Sequence, residues 1–298
     1  MTAGHVVIAG ASGLIGRALT ASLRADGIRV VHLVRRAPAG PDEVRWLDSG
    51  HPLSPDVLAG ADAVVGLNGA SIGRLPWTRG YRERLRSSRL LPTQTLAASL
   101  RALGGDAPPF LSASGIGFYG DRPGEAIDES STAGSTFLAE LCVDWERAAR
   151  DAGDDVRTAL LRTAPVLHPE GVLSPMILLT RLGLGGPLGS GRDLWPWISL
   201  DDEVRAIRHL IGTPVDGPVN LTGPTRATSA DIGRALARAL HRPYWLPAPA
   251  WALRLGLGRA AADSLILSDV DATPGALLDS GFVFRHQTAA DAVDSALR

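Results

Sequence analysis

Short apolar runs rich in Val, Ile and Leu alternate along this chain with longer stretches of helical period. The runs HVVIAG (5–10), IRVVHLV (28–34), ADAVVGLNG (61–69), PPFLSASG (108–115) and VRTALLRTAPVL (156–167) read as buried strands. Each opens after a turn-forming residue or a small polar cluster. Between them, residues 14–26, about Thr78 to Leu103, and 137–153 carry apolar positions at helical spacing. That alternation predicts βαβ units and an α/β fold on a doubly wound parallel sheet. After about Leu167 the pattern loosens into Gly- and Pro-rich joints such as LGLGGPLGSGRDLWPW (182–197) and YWLPAPAW (244–251), with helices near Ser229–His241 and Thr288–Arg298. The expected organisation is a sheet domain over 1–167 and a smaller substrate lobe over 168–298, partly interleaved with the sheet. The lobe would sit at the carboxyl edge of the strands, where open α/β sheets bind ligands.

Charge and cysteine usage narrow the classes of function. The 298 residues carry 30 basic and 31 acidic side chains, a formal charge of -1. This leaves no footprint for nucleic acid or an anionic membrane surface, so the expected partner is a small molecule. Cys142 is the single cysteine; an internal disulfide is excluded and a reducing, cytoplasmic setting is expected. No uninterrupted apolar stretch is long enough for a bilayer, and no basic and apolar export signal precedes Gly10. The seven histidines are scattered, without an H-E-x-x-H pair or a zinc-closing spacing, so no metal site is expected. Neither Ser112 nor Ser114 lies in a G-x-S-x-G elbow, which argues against a serine hydrolase.

The chemistry concentrates in VVIAGASGLIGRAL (6–19), with glycines at 10, 13 and 16. G-x-x-G-x-x-G alone is a loose pattern, but here it follows the first strand and opens the first helix. In that place Gly10 allows the bend, Gly13 lets a diphosphate approach the backbone, and Gly16 lets helix and strand pack closely. Ser12, Leu14 and Ile15 complete the expected cradle, whose free N–H groups and positive helix end face an anion. The second strand ends in Arg35 and Arg36, where an NAD-selective site usually places an acid. Two guanidinium groups suit a ribose 2′-phosphate, which favours NADP(H) over NAD(H). Leu67, Gly69 and Ala70, ending the strand 61–69, are small enough or apolar enough to let the cofactor lie against the backbone.

GASGLIG, LNGASI, SASGIGFYG, FLAELCVDWE, LRTAPVL, RLGLGGPLGSGRDLWPWISLDD and the tail LLDSGFVFRHQTAADAVDSAL together resemble an atypical branch of the extended short-chain dehydrogenase/reductases. Members of that branch are called epimerase family proteins, or NAD-dependent epimerase/dehydratase-like proteins, with a short C-terminal domain of unknown function. The resemblance covers nearly the whole chain and implies a Rossmann-type sheet. It also implies a catalytic Ser or Thr, here Ser114 with Ser112 beside the cofactor, and a Tyr followed four positions later by a Lys. Those two positions fall on Phe137 and Leu141, so the usual acid pair is missing. Phe137 has no proton to give, and Leu141 cannot lower a neighbour's pKa.

Tyr119 is the nearest substitute proton donor in sequence, with Glu129, Glu140 and Asp144 behind it. Arg192, Trp195 and Trp197 precede an expected helix start at Asp201 or Asp202; in extended relatives that segment faces substrate, so an anion-holding Arg and an apolar Trp wall are expected. Cys142 reads as a small core residue. Three activities stay open: an NADP(H)-dependent oxidoreductase on a small carbonyl or hydroxyl compound, an NADPH-binding sensor with little chemistry, and a nucleotide-sugar epimerase.

Overall fold

A computed structural model of the chain describes residues 4–48 and 52–298. In chain order the strands are β1 (His5–Ala9), β2 (Arg29–Val34), β3 (Glu43–Arg45), β4 (Ala63–Gly66), β5 (Phe110–Gly115), β6 (Ala126–Ile127), β7 (Thr158–Thr163), β8 (Val166–Leu167), β9 (Ile198–Ser199), β10 (Gly217–Leu221) and β11 (Asp271–Ala272). The helices are α1 (Leu14–Ala25), α2 (Arg79–Leu103), α3 (Phe137–Arg150), α4 (Leu173–Arg181), α5 (Leu200–Ile211), α6 (Ser229–Ala239), α7 (Ala250–Leu257), α8 (Arg259–Leu265), α9 (Gly275–Asp279) and α10 (Ala289–Ala296). Seven strands form one sheet in the order β10-β7-β5-β4-β1-β2-β3, and every pairing in it is parallel.

The alternation of side chains along a strand explains the layering. Val6 and Ile8 face α1 and α5, packing with Leu19, Leu23, Ile207 and Leu210. Val7 and Ala9 face the other way, onto Leu96, Leu100 and Phe110. Full burial of a Val, Ile or Leu stabilises by about 1.5–3 kcal/mol, so both faces of the sheet hold the fold. The continuous apolar runs of the sequence are thus strands covered on both sides, as parallel sheets require.

Two sheet strands lie outside those runs. Edge strand β3 is three residues long, too short to carry a period. The opposite edge, β10, reads GPVNL and comes after the loosely patterned region begins, so the chain returns to the sheet well beyond Leu167. The C-terminal region builds its own core where α6 and α10 pack around Trp195, Trp197, Ile232, Leu236 and Val293. Both helices open with reciprocal Thr–Asp caps, Thr228 with Asp231 and Thr288 with Asp291, each satisfying two end N–H groups. Asp202 in the first turn of α5 accepts the N–H groups of Arg285 (2.7 Å) and His286 (3.0 Å), which ties the C-terminal segment to the sheet.

Candidate cofactor and substrate site

In a parallel sheet the carboxyl ends of all strands share one edge, and here that edge gathers the glycine turn, the end of β4 and the first turns of the flanking helices. Gly10 has φ +87°, a conformation L side chains rarely adopt, and a Cβ there would meet the Leu67 carbonyl at 2.6 Å. Gly16 lies against the turn itself, where a Cβ would stand 2.4 Å from the Gly10 carbonyl oxygen. Gly13 differs: a Cβ would meet only the Gly10 oxygen, at 3.4 Å, and the residue is exposed. Gly10 and Gly16 are therefore glycines for packing, whereas Gly13 faces open space.

Gly13 is also the N-cap of α1, and it contributes no side-chain cap. Thr78, Thr136, Ser199, Thr228 and Thr288 each cap their helices through a hydroxyl. No acidic side chain stands in the first turn of α1, so the unpaired N–H groups that every helix start presents are left to an outside acceptor. Ser12 is exposed, and Leu14 and Ile15 are half-buried. These residues fit a diphosphate: a cradle of amides that no protein group fills.

Parallel pairing of Ala9 with Leu33 brings the end of β2 beside the turn. The two arginines there behave differently. Arg36 is forked onto Glu43 at 2.7 and 2.5 Å, and that guanidinium holds the Glu43 carboxyl down at about 2. Arg35 is exposed and makes no ion pair among the described residues. On the other side of β1, Ala9 pairs with Gly66, which places Leu67, Asn68, Gly69 and Ala70 next to the turn. The Asn68 Oδ1 is buried with no hydrogen-bond partner among the described residues, an acceptor the sequence did not single out. Ala70 is fixed from behind, its N–H donating to Ser88 Oγ (2.9 Å) and its carbonyl accepting from buried Arg89 (3.1 Å).

The residues expected to do chemistry are placed otherwise. Ser112 is fully enclosed inside β5. Ser114 donates its hydroxyl proton to Glu146 Oε1 at 2.8 Å. Glu146 in turn accepts two bonds from Arg162, at 2.8 and 3.0 Å. Arg162 donates to the Tyr119 hydroxyl (2.8 Å), which donates to Asn220 Oδ1 (2.7 Å). Tyr119 has no solvent exposure, and burial pushes its hydroxyl pKa up. The hydroxyl belongs to a buried network joining β5, α3, β7 and β10.

Glu129 belongs to the same joint, its Oε1 accepting from the N–H groups of Asn220 (3.0 Å) and Ala276 (3.1 Å). Glu140 is exposed, and Asp144 pairs with Arg86 and Arg147. Cys142 is buried, its thiol pushed up to about 11 by desolvation, in keeping with a core residue. The expected trio of Arg192, Trp195 and Trp197 is split. Trp195 and Trp197 are buried, their indole N–H groups donating to the carbonyls of Ile266 (3.1 Å) and Thr225 (2.9 Å), while Arg192 is exposed. The tryptophans anchor the joint between sheet and C-terminal core.

A buried acid at this edge went unread in the sequence. Glu203, in the first turn of α5, has no solvent exposure. Its Oε1 accepts from Thr163 Oγ1 at 2.9 Å and its Oε2 has no partner among the described residues. Burial raises its pKa to about 8, so the carboxyl is held protonated at neutrality. No periodicity marks it, since it sits in LDDE beside two other acids at a helix start.

Comparison with known proteins fits this geometry. The model of the NAD dependent epimerase/dehydratase family matches residues 6–222, from β1 through β10. The chain belongs to that family. A domain of unknown function (DUF1731) matches residues 248–296. An epimerase family protein of Mycobacterium bovis, Mb2239, is 44% identical over 97% of this chain and 96% of its own. The crystal structure of human epimerase family protein SDR39U1 with NADPH superposes with a TM-score of 0.88 at 30% identity, covering 98% of each chain. A nucleoside-diphosphate sugar epimerase from Corynebacterium glutamicum has a TM-score of 0.78 at 32% identity, covering 99% of this chain and 58% of that one. No helix among the described residues is long and apolar enough to cross a membrane.

Proposed function

We propose that this protein binds NADP(H) at the Gly10–Gly16 turn and acts as an oxidoreductase on a small carbonyl or hydroxyl compound. The observation that carries the reading is the start of α1, uncapped and without an acid, beside exposed Arg35 and the unpartnered Asn68 Oδ1. The first-turn amides of Leu14, Ile15 and Gly16 would hold the diphosphate, and Arg35 the 2′-phosphate. Leu67, Gly69 and Ala70 would carry the adenosine and ribose. The NADPH of the human relative supports the choice of cofactor. Bound there, the nicotinamide supplies or accepts a hydride. The chain's own part is to orient that ring and the reacting carbon at the carboxyl edge, with Phe137 and Leu141 keeping the position of the superfamily's Tyr and Lys apolar.

A second reading, an NADPH sensor with little turnover, is favoured by one observation: the Ser114 and Tyr119 hydroxyls are both committed to a buried network. One experiment bears on both. Calorimetric titration of Arg35→Ala should show NADPH weakened about tenfold to a hundredfold and NADH little changed, as for one lost charged contact. Equal weakening of both cofactors overturns the 2′-phosphate assignment. A carbonyl screen of the wild-type chain that yields no NADPH oxidation, with tight NADPH binding retained, favours the sensor.

A further inference from the structure

Helices α2 and α3 both start at the carboxyl edge, and between their first turns lies a cleft of about 280 Å³ lined by Trp77, Arg79, Arg82, Glu83, Arg86 and Phe137. We propose that this cleft seats the anionic head group of the substrate, a carboxylate or phosphate carried on a flat apolar body. The inference rests on the reading that the same edge holds NADP(H) and the reacting compound.

The charges in the cleft are matched with one exception. Arg86 is paired with Asp144, and Arg79 with Glu83 at 3.3 Å. Arg82 makes no ion pair among the described residues, and its Nε is buried with no hydrogen-bond partner. A buried donor left unsatisfied is costly and rare in native proteins, so Arg82 carries hydrogen-bonding capacity that no described residue uses. The Arg82 guanidinium carbon lies 5.3 Å from the centre of the Phe137 ring, so the cation rests over an aromatic face before any ligand arrives. A guanidinium held this way still has its forked edge, the geometry that takes a carboxylate or phosphate through two bonds.

The walls set the other half of the ligand. The Trp77 and Phe137 rings meet edge to face with centres 5.6 Å apart. The Trp77 indole N–H is spent on the Ile72 carbonyl at 2.9 Å, so both rings present apolar surface. The volume falls at the low end for ligand sites, room for one ring with its head group and too little for a whole sugar nucleotide. Phe137 thus has a use in place of proton transfer: it is the platform on which Arg82 is oriented.

The test titrates phenyl phosphate, benzoate and uncharged benzyl alcohol by calorimetry, with and without NADPH. At least one anionic probe should bind at least about tenfold more tightly than benzyl alcohol, and Arg82→Gln should weaken that probe by at least about tenfold while NADPH affinity holds. The stronger of the two anionic probes tells phosphate from carboxylate. No preference for the anions, or an unchanged affinity in Arg82→Gln, overturns the proposal. If Arg82→Gln does not fold, wild-type crystals soaked with phenyl phosphate decide: a head group bonded to Arg82 supports the site, and one bound elsewhere overturns it. Failure of NADPH to bind the wild-type chain strikes the cofactor reading alone, since the probe arm without cofactor still decides the cleft.

Discussion

At the glycine turn, amide N–H groups, the Arg35 guanidinium and the Asn68 oxygen stand without partners among the described residues. A few residues along the same sheet edge, Ser114, Glu146, Arg162, Tyr119 and Asn220 are buried and joined in one hydrogen-bonded chain, with the Asn220 Nδ2 donating outward to the Thr273 carbonyl. Both regions are polar and both were candidates for chemistry, so residue type does not separate them. Satisfaction does: polar groups bonded to one another hold two parts of a fold together, whereas groups kept apart from partners are available to a ligand. A buried ion pair is weak evidence for stability as such, because desolvation offsets its attraction, but removing one member is severe.

The contrast breaks first at Arg162. Arg162→Met leaves the Glu146 carboxylate buried with the Ser114 hydroxyl and a distant Arg150 at 3.9 Å, and should destabilise the chain by about 3–5 kcal/mol. Urea unfolding measures this; a loss below about 1 kcal/mol would mean that the network holds nothing.

The next effect is a pH slope from Glu203, whose buried acid is neither in that network nor open to solvent. Its pKa of about 8 lies above the ordinary carboxyl value of 4.5 that the unfolded chain approaches, so the unfolded chain gives up its proton first as pH rises. The stability it contributes is fully present below about 4.5 and is lost as pH climbs toward about 8. The slope is at most ~1.4 kcal/mol per pH unit. Glu203→Gln keeps the shape and removes the titration, so the wild-type advantage over the variant should shrink between pH 5 and pH 8. Parallel profiles for the two chains would show that Glu203 ionises alike in both states.

The smallest expected change in stability is at the open turn. Gly13→Val adds a Cβ that makes an ordinary contact with the Gly10 oxygen at 3.4 Å, and valine is a poorer N-cap than glycine, so the cost should stay within about 1 kcal/mol. NADPH binding should nonetheless be abolished in a calorimetric titration. Wild-type affinity in this variant would make Gly13 one more packing residue.

How far the sequence could be read follows the same division. The central strands were legible because burial on both faces demands unbroken apolar runs. The turn was legible because three glycines, a strand and a helix are neighbours in sequence. Arg36 was not separable from Arg35, since its capture depends on Glu43 across a strand pairing. Tyr119 looked free because its partner Asn220 is 101 positions away and lies in GPVNL, a strand whose glycine and proline hide it. Trp195 and Trp197 looked like a pocket wall because large aromatics suit a cleft and a core equally well. Asn68 and Glu203 were missed for another reason: each matters through a partner it lacks, and no spacing records an absence.

Strand β10 has a consequence for synthesis. While the chain is growing, β7 can align beside β5, but its outer edge stays bare until residues 217–221 have been made. Over that interval, on the order of seconds at ribosomal speed, the nascent sheet exposes a row of unpaired backbone groups and Tyr119 has no Asn220 to meet. A nascent chain with β7 clear of the ribosome and β10 still to emerge therefore has an adhesive border, and chaperones that cover strand edges should engage it most strongly over that interval.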